Sequence, residues 1–208
     1  MTTAGALIEK IRHILRDPSG VRWQEPELLS HLSAAQLLIA TLAPESASKV
    51  TEVTLVAGAE QTLPADGRSF VRGLRLPTGA FVRQVEKRIL DEAFPNWQAE
   101  SESAAIKHTM IAPKRKMFYV YPPAVADTKL VVEYLAVPSA LNASSALLSI
   151  ADEYADAAVH YALFLAFTKD SDDPGQLARG EVHKGLFTSS LNGAAGAEVA
   201  LHEAVENE

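Results

Sequence analysis

The run IADEYADAAVHYALFLAFTKD, at residues 150–170, gives the clearest indication of fold in this 208-residue chain. It opens with carboxylates, which favour the first turn of a helix, and then continues in small and aromatic residues. One helical face of the run carries Tyr154, Ala158, Tyr161, Leu165 and Thr168. The run therefore predicts a helix that starts at about Ser149 or Asp152 and ends at Lys169, followed after a break by a last helix over 174–191.

The N-terminal residues show the same helical period twice. Apolar residues between Leu7 and Leu15 share one face, Thr2 or Thr3 can cap this helix, and residues 17–20 end it. A second helix is predicted to begin near Pro26 and to end before Pro44. Its predicted buried residues are Leu28, Leu29, Leu32, Ala35, Ile39 and Leu42. The short connection predicts an antiparallel helical pair.

Between these helical ends the hydrophobic period changes from about 3.6 residues to 2. A β-hairpin is predicted from Lys49 to Leu63, with its turn at residues 57–60. Further strands are predicted at 69–76, 81–86, 106–111, 117–121 and 129–137, with a helical turn at 87–91. The fold class that follows is α+β, with N- and C-terminal helices forming a small helical bundle and a central antiparallel β subdomain.

Four segments are predicted within this fold. They are an N-terminal helical hairpin (1–47), the central β subdomain (48–140), C-terminal helices that pack with the N-terminal pair (141–192), and an acidic, flexible tail (193–208). The tail is rich in Ala, Gly and Glu, a composition typical of segments that become ordered on meeting a partner.

The composition narrows the classes of function. Hydrophobic residues make up 48% of the chain and charged residues 22%, as in an ordinary globular protein. No apolar stretch is long enough to span a bilayer, and the first residues do not have the pattern of a secretory signal. The absence of cysteine excludes disulfides and thiolate metal sites. A net charge of −7 argues against broad electrostatic binding of nucleic acid.

No group of residues meets the requirements of catalysis. The nearest candidate is the set Asp152, Asp156 and His160, whose spacing by four puts them on one helical face, within reach of one divalent metal ion. The favoured alternative is that Asp152 stabilises the helix N-terminus, while Asp156 and His160 form an exposed or inter-subunit pair. His183 is interpreted as a packing or surface residue. We therefore predict no enzyme activity, no cofactor and no metal.

Basic residues are concentrated between Arg68 and Arg88. The favoured interpretation is that they lie on solvated strand faces and turns and pair with neighbouring carboxylates. The alternative is that the protein is a DNA-binding accessory protein that uses this region.

The order of several short motifs resembles that of the tailed-bacteriophage adaptor, or head–tail connector, proteins. The motifs are Arg22-Trp23 with Glu27-Leu28-Leu29, the segment 54–67, Phe118-Tyr119-Val120-Tyr121-Pro122, and Lys169-Asp170 followed by His183, Phe187 and Leu191. The similarity covers most of the chain, from about Leu7 to Gly193. It implies a structural virion protein without enzyme activity.

In that family the protein forms a ring, commonly a dodecamer, beneath the portal, extends the DNA channel and receives the tail. The resemblance implies three partners: the portal protein, tail tube or nozzle proteins, and further copies of the chain. Genomic DNA would pass through the channel without sequence-specific binding, and no membrane is involved. The expected location is the neck of the virion, after assembly in the host cytoplasm.

Two sets of residues are candidates for these contacts. The candidate portal-binding residues are Leu191, Val199, Leu201 and Val205. The candidate ring-interface residues are Asp156, His160, Arg72, Arg75 and Arg83.

Overall fold

A computed structural model describes residues 2–169 and 173–206, with side chains in the last helix described up to residue 197. The helices and strands, in chain order, are α1 (Ala4–Leu15), α2 (Glu25–Leu42), β1 (Ser48–Thr54), β2 (Gly58–Thr62), β3 (Gly67–Arg75), β4 (Arg83–Gln84), α3 (Lys87–Ala93), β5 (His108–Ile111), β6 (Met117–Ala124), β7 (Lys129–Ala136), α4 (Ala155–Thr168) and α5 (Pro174–Glu206). The predicted α+β class is confirmed.

The chain divides into two compact units. The helical unit combines Met1–Ala47 with Pro138–Glu208, and the β unit is Ser48–Val137. None of the described helices combines the length and the apolar character that a membrane span requires.

The helical unit has one core, to which α1, α2, α4 and α5 all contribute. Of the two predicted caps of α1, Thr2 and Thr3, the structure has Thr3, whose Oγ1 accepts a hydrogen bond from the Ala6 N–H at 3.3 Å. In α2 the predicted buried residues lie in the core except Leu42, which is 56% exposed. That prediction is wrong because Leu42 is the last residue of α2, beyond the turn that ends its buried face at Ala40.

The last helix is longer than predicted. The sequence suggested an end at Leu191, but α5 continues to Glu206 and includes most of the segment predicted as a flexible tail. Alanine has the highest helix propensity, and Ala194, Ala195 and Ala197 favour continuation. Gly193 and Gly196 weaken a helix by about 1 kcal/mol each without ending it.

The β unit consists of two sheets, with strand orders β1-β7-β3 and β2-β6-β5-β4. All pairings are antiparallel except the short parallel pair of β4 and β5. Both sheets contribute to one core, in which the rings of Phe70 and Phe118 stack at 4.4 Å. A smaller cluster around Trp97 and Met110 covers part of the second sheet.

The predicted hairpin at 49–63 is wrong, because β1 and β2 belong to different sheets. β1 pairs with β7, and β2 pairs with β6. At the start of β2, Gly58 has φ 101°, and the buried Gln61 side chain holds the turn before it. Gln61 Oε1 accepts a hydrogen bond from the Val56 N–H, and its Nε2 donates to the Val56 and Gly58 carbonyls. The chain is thus redirected from one sheet to the other.

Candidate functional site

The three residues considered as a metal site, Asp152, Asp156 and His160, do not form one site. Asp152 Oδ1 accepts a hydrogen bond from the Thr2 N–H at 2.7 Å, whereas Asp156 Oδ1 accepts one from Lys10 Nζ at 2.6 Å. Throughout the described part of the chain, no three His, Asp or Glu side chains are grouped as metal ligands.

Asp156 and His160 lie where α1, α4 and α5 meet. Asp156 Oδ2 is 3.3 Å from the Ser190 hydroxyl of α5 and 3.5 Å from His160 Nε2. His160 Nδ1 is 3.1 Å from Nδ1 of His183 on α5, so one of these nitrogens donates to the other. The two residues predicted as an exposed or inter-subunit pair are therefore joined to α1 and α5 of their own chain.

Both histidines are held neutral near pH 7. Burial lowers the pKa of His160, with the nearby Asp156 carboxylate opposing this effect and the Lys10 ammonium adding to it. Burial also lowers the pKa of His183, and the His160 ring lowers it further. The His183 ring of α5 also stacks on the Phe167 ring of α4, with 5.4 Å between the ring centroids.

The lowered pKa of these two histidines is expected to make the helical unit less stable in acid. The folded state binds protons on His160 and His183 less readily than the unfolded state does. The contribution of the two neutral histidines to the free energy of unfolding is therefore present above the unfolded pKa of 6.5 and is lost as the pH falls below it. We expect the melting temperature to drop between pH 7.5 and pH 5. In His183→Gln, measured by circular dichroism, the drop should be smaller by roughly 2–4 °C. An equal drop in the variant and the wild-type protein would contradict the assignment.

The Arg22-Trp23 motif anchors the connection between α1 and α2. The buried carboxylate of Asp17 accepts hydrogen bonds from the N–H groups of Val21, Arg22 and Trp23, at 2.9–3.0 Å. These hydrogen bonds lower the pKa of Asp17, and the bond from Trp23 has the largest effect. Burial of the carboxylate opposes them. Trp23 Nε1 donates to the Ala166 carbonyl of α4 at 3.3 Å. The motif therefore serves the helical core.

Several basic residues of the β unit are paired with carboxylates, as the favoured interpretation predicted. Arg72 Nε is 2.7 Å from Glu133 Oε2. On α3, Lys87 pairs with Asp91 at 2.7 Å and Arg88 with Glu92 at 3.0 Å. Fewer cations of the 68–88 region are thus available to a nucleic acid than the sequence suggested.

Arg75 and Arg83 differ from these residues. Both are exposed, and within the described residues neither has an ion-pair partner. Phe81 lies directly opposite Arg75 in an antiparallel bridge, and Arg83 follows two residues later, on the same side of the strand. The Phe81 side chain is 75% exposed. We call Arg75, Phe81 and Arg83 the Phe81 tip.

The loop that carries the Phe81 tip is firmly held. Leu76 N–H donates to the Ala80 carbonyl at 2.8 Å, and Val82 N–H donates to the Leu74 carbonyl at 3.1 Å. On the opposite side, Leu76 and Val82 are buried in the main core of the β unit. Phe81 was not among the candidates from the sequence. It alternates with the apolar Val82, and neighbouring residues of a strand point to opposite faces, so this pattern indicated that one of the two faces solvent.

The helical unit has a cavity of about 560 Å³ beside the start of α2. Its apolar lining includes Pro26, Leu29 and Leu141, and Glu25 and Ser30 are exposed at its edge. Among the described residues, Glu25 has no ion-pair partner. We call this space the Glu25 cavity.

The candidate portal-binding residues differ in their positions. Leu191 is 7% exposed and belongs to the helical core, so its side chain is not available to a partner. Val199, Leu201 and Val205 lie outside the residues whose side chains are described.

A comparison with protein families identifies the class of protein. The family model described as SU10 adaptor protein matches residues 2–204. Because this match covers nearly the whole sequence, the chain belongs to that family of phage adaptor proteins, and the resemblance is confirmed. It is a structural protein of a bacteriophage virion. No curated protein matches the sequence.

Proposed function

We propose that this protein is the head–tail adaptor of a tailed phage, which binds as a ring beneath the portal and provides the docking surface for tail proteins. The family match over residues 2–204 carries the proposal. Its partners would be the portal, tail tube or nozzle proteins, and neighbouring copies in a dodecamer, all at the virion neck. The role requires no catalysis and no cofactor.

The charge of the chain suits a ring that extends the DNA channel. The net charge is −7, and a wall of the same sign as the phosphate backbone disfavours tight electrostatic binding. Genomic DNA would therefore slide past the adaptor without sequence-specific contacts. Arg72, Lys87 and Arg88 are paired with carboxylates, which compensate their charge. This pairing does not favour the alternative of a DNA-binding accessory protein.

The C-terminal end of α5 is the proposed portal-binding segment. At 1.5 Å per residue, the 33 residues of α5 extend about 50 Å, against about 21 Å for the 14 residues of α4. The last described side chain of α5 that packs against the core is that of Ala194. The helix continues beyond it with Val199, Leu201 and Val205, the apolar residues that we propose for the portal contact.

A chain that ends at Ala197 is expected to bind the portal at least about tenfold more weakly, because it lacks all three of these apolar residues. The helical unit should stay folded, since the core residues of α5 are retained. Binding would be measured by co-sedimentation with portal rings. A matched control is Val182→Ser, which removes an exposed apolar side chain (62% exposed) from the same helix. Equal binding by the truncated and full-length chains would contradict the assignment.

The proposed function itself is tested by negative-stain class averaging of the full chain mixed with portal rings from the same phage genome. The expected result is an added layer of density with the symmetry of the portal. Bare portal rings beside free protein would overturn the proposal. Strong, salt-dependent binding to duplex DNA in that case would favour the DNA-binding alternative.

A further inference from the structure

We propose that neighbouring copies in the ring contact each other head to tail, with the Phe81 tip of one copy inserted into the Glu25 cavity of the next. This inference rests on the proposed ring, and it names the contact that would close it.

The Phe81 tip has the properties of a contact surface. A single exposed apolar residue is normal on a protein surface, but Phe81 stands between two arginines that lack ion-pair partners among the described residues. Aromatic residues and arginine are the types that most often dominate the binding energy of interfaces. Because the loop is fixed by backbone hydrogen bonds and by the buried Val82, little conformational freedom would be lost on binding.

The Glu25 cavity offers a complementary surface. Its volume of about 560 Å³ lies within the range of ligand-binding cavities, roughly 300–1,000 Å³, and leaves room for a phenyl ring. Pro26, Leu29 and Leu141 supply apolar contacts for that ring, and the Glu25 carboxylate can pair with an arginine.

A second carboxylate lies near this cavity. An adjoining cavity of about 690 Å³ shares Glu25 and is also lined by the exposed Glu9. Arg12, the cation of that adjoining cavity, has its Nη1 within 3.5 Å of the Pro18 carbonyl. The Phe81 tip thus carries two positive groups, whereas the Glu25 cavity and the adjoining cavity together carry the carboxylates of Glu25 and Glu9 against the single guanidinium of Arg12.

A second copy of the chain is the partner that these surfaces fit. Each copy carries a cationic aromatic tip and an acidic, partly apolar cavity, and the two are different patches of the sequence. A contact between different patches is heterologous, and a heterologous contact generates a ring when its rotation closes. A symmetric dimer would instead require one patch to complement itself.

The first test uses charge reversal. Arg83→Glu puts a carboxylate on the Phe81 tip, which then faces the Glu25 carboxylate of the cavity. Glu25→Arg puts an arginine at the edge of the cavity, which then faces the arginines of the tip. Each variant alone should therefore form the portal-bound layer at least about tenfold less well. An equimolar mixture should restore the layer, because each tip then meets a cavity of opposite charge. Lys114→Glu reverses an exposed cation elsewhere in the β unit and should assemble as the wild-type protein does.

The second test uses the natural absence of cysteine. A chain that carries Ala80→Cys and Ser30→Cys, treated with a short bifunctional maleimide on portal rings, should give a ladder of covalently linked copies. Ala80 is exposed beside Phe81, so this variant keeps the phenyl ring of the tip. Ser30 is exposed at the cavity, so its replacement leaves the core intact. The control combines Ser30→Cys with Lys114→Cys and should give no ladder.

The outcomes separate this contact from the proposed function. A wild-type layer on the portal, without restoration by the mixture and without the ladder from Ala80→Cys and Ser30→Cys, overturns the head-to-tail contact and leaves the adaptor function in place. Bare portals with the wild-type protein overturn both. Restoration by the mixture also shows that the two single variants are folded.

Discussion

Replacement of Trp97 by alanine is expected to lower the free energy of unfolding of the β unit by about 3–5 kcal/mol. Trp97 is 1% exposed and forms the centre of the smaller cluster on the second sheet. Its Nε1 donates to Asp91 Oδ1 at 2.9 Å, and its ring meets the ring of Tyr119 edge to face at 5.9 Å. Alanine would remove the indole ring and leave a cavity among Ala59, Leu90 and Met110, the other buried residues of the cluster.

Urea denaturation followed by circular dichroism would measure this loss, since it does not depend on tryptophan fluorescence. Phe94→Ala is the matched control, because Phe94 is 51% exposed and stacks on Tyr121 at 6.3 Å. Its expected effect is below about 1 kcal/mol. A loss of less than 1 kcal/mol for Trp97→Ala would show that the cluster does not stabilise the β unit.

Replacement of Gly73 by alanine is expected to destabilise the β unit by about 2–3 kcal/mol. A Cβ atom at this position of β3 would lie 2.5 Å from Cγ2 of Thr109, which is fully buried on β5. The Gly73 N–H also donates a hydrogen bond to Thr109 Oγ1 at 3.1 Å. The two strands therefore cannot move apart to make room for the Cβ atom without losing this hydrogen bond. Urea denaturation measures the effect.

Thr109→Ser tests the cause of that destabilisation, because it removes Cγ2 and keeps the hydroxyl. The double variant should recover part of the stability that Gly73→Ala loses, and purely additive effects would contradict the steric explanation. Gly185→Ala in α5 is the opposite case. Nothing lies within 4 Å of a Cβ atom there, so this variant should gain up to about 1 kcal/mol.

Local features of the fold could be predicted from the sequence, whereas the pairing of strands could not. The cap at Thr3 and the start of α2 near Pro26 depend on neighbouring residues, and both are found as expected. The partner of β1 is β7, which lies far along the chain, so a period of two identified the strand and not its neighbour. The tail after Gly193 was predicted to be flexible from its Ala, Gly and Glu content and its few large apolar residues, but α5 continues through it to Glu206, because its alanines favour a helix.

The candidate contacts show the same limit. A spacing of four correctly placed Asp156 and His160 side by side, but the partner His183 comes from another helix and depends on how α4 and α5 pack. Arg72 is similarly neutralised by Glu133 across a strand pair. Arg75 and Arg83 were candidates for the ring interface from the sequence, and the structure adds that Phe81 lies opposite Arg75 and two residues before Arg83.

The helical unit is interrupted in sequence, since the chain leaves it after Ala47 and returns at Pro138. During translation, α1 and α2 therefore leave the ribosome roughly 110 residues before α4, a delay of about 5–20 s at typical elongation rates. Throughout this interval their apolar faces lack the helices that cover them in the finished protein. The β unit can complete its sheets first, whereas the helical core can close only after α4 and the core residues of α5 have been made.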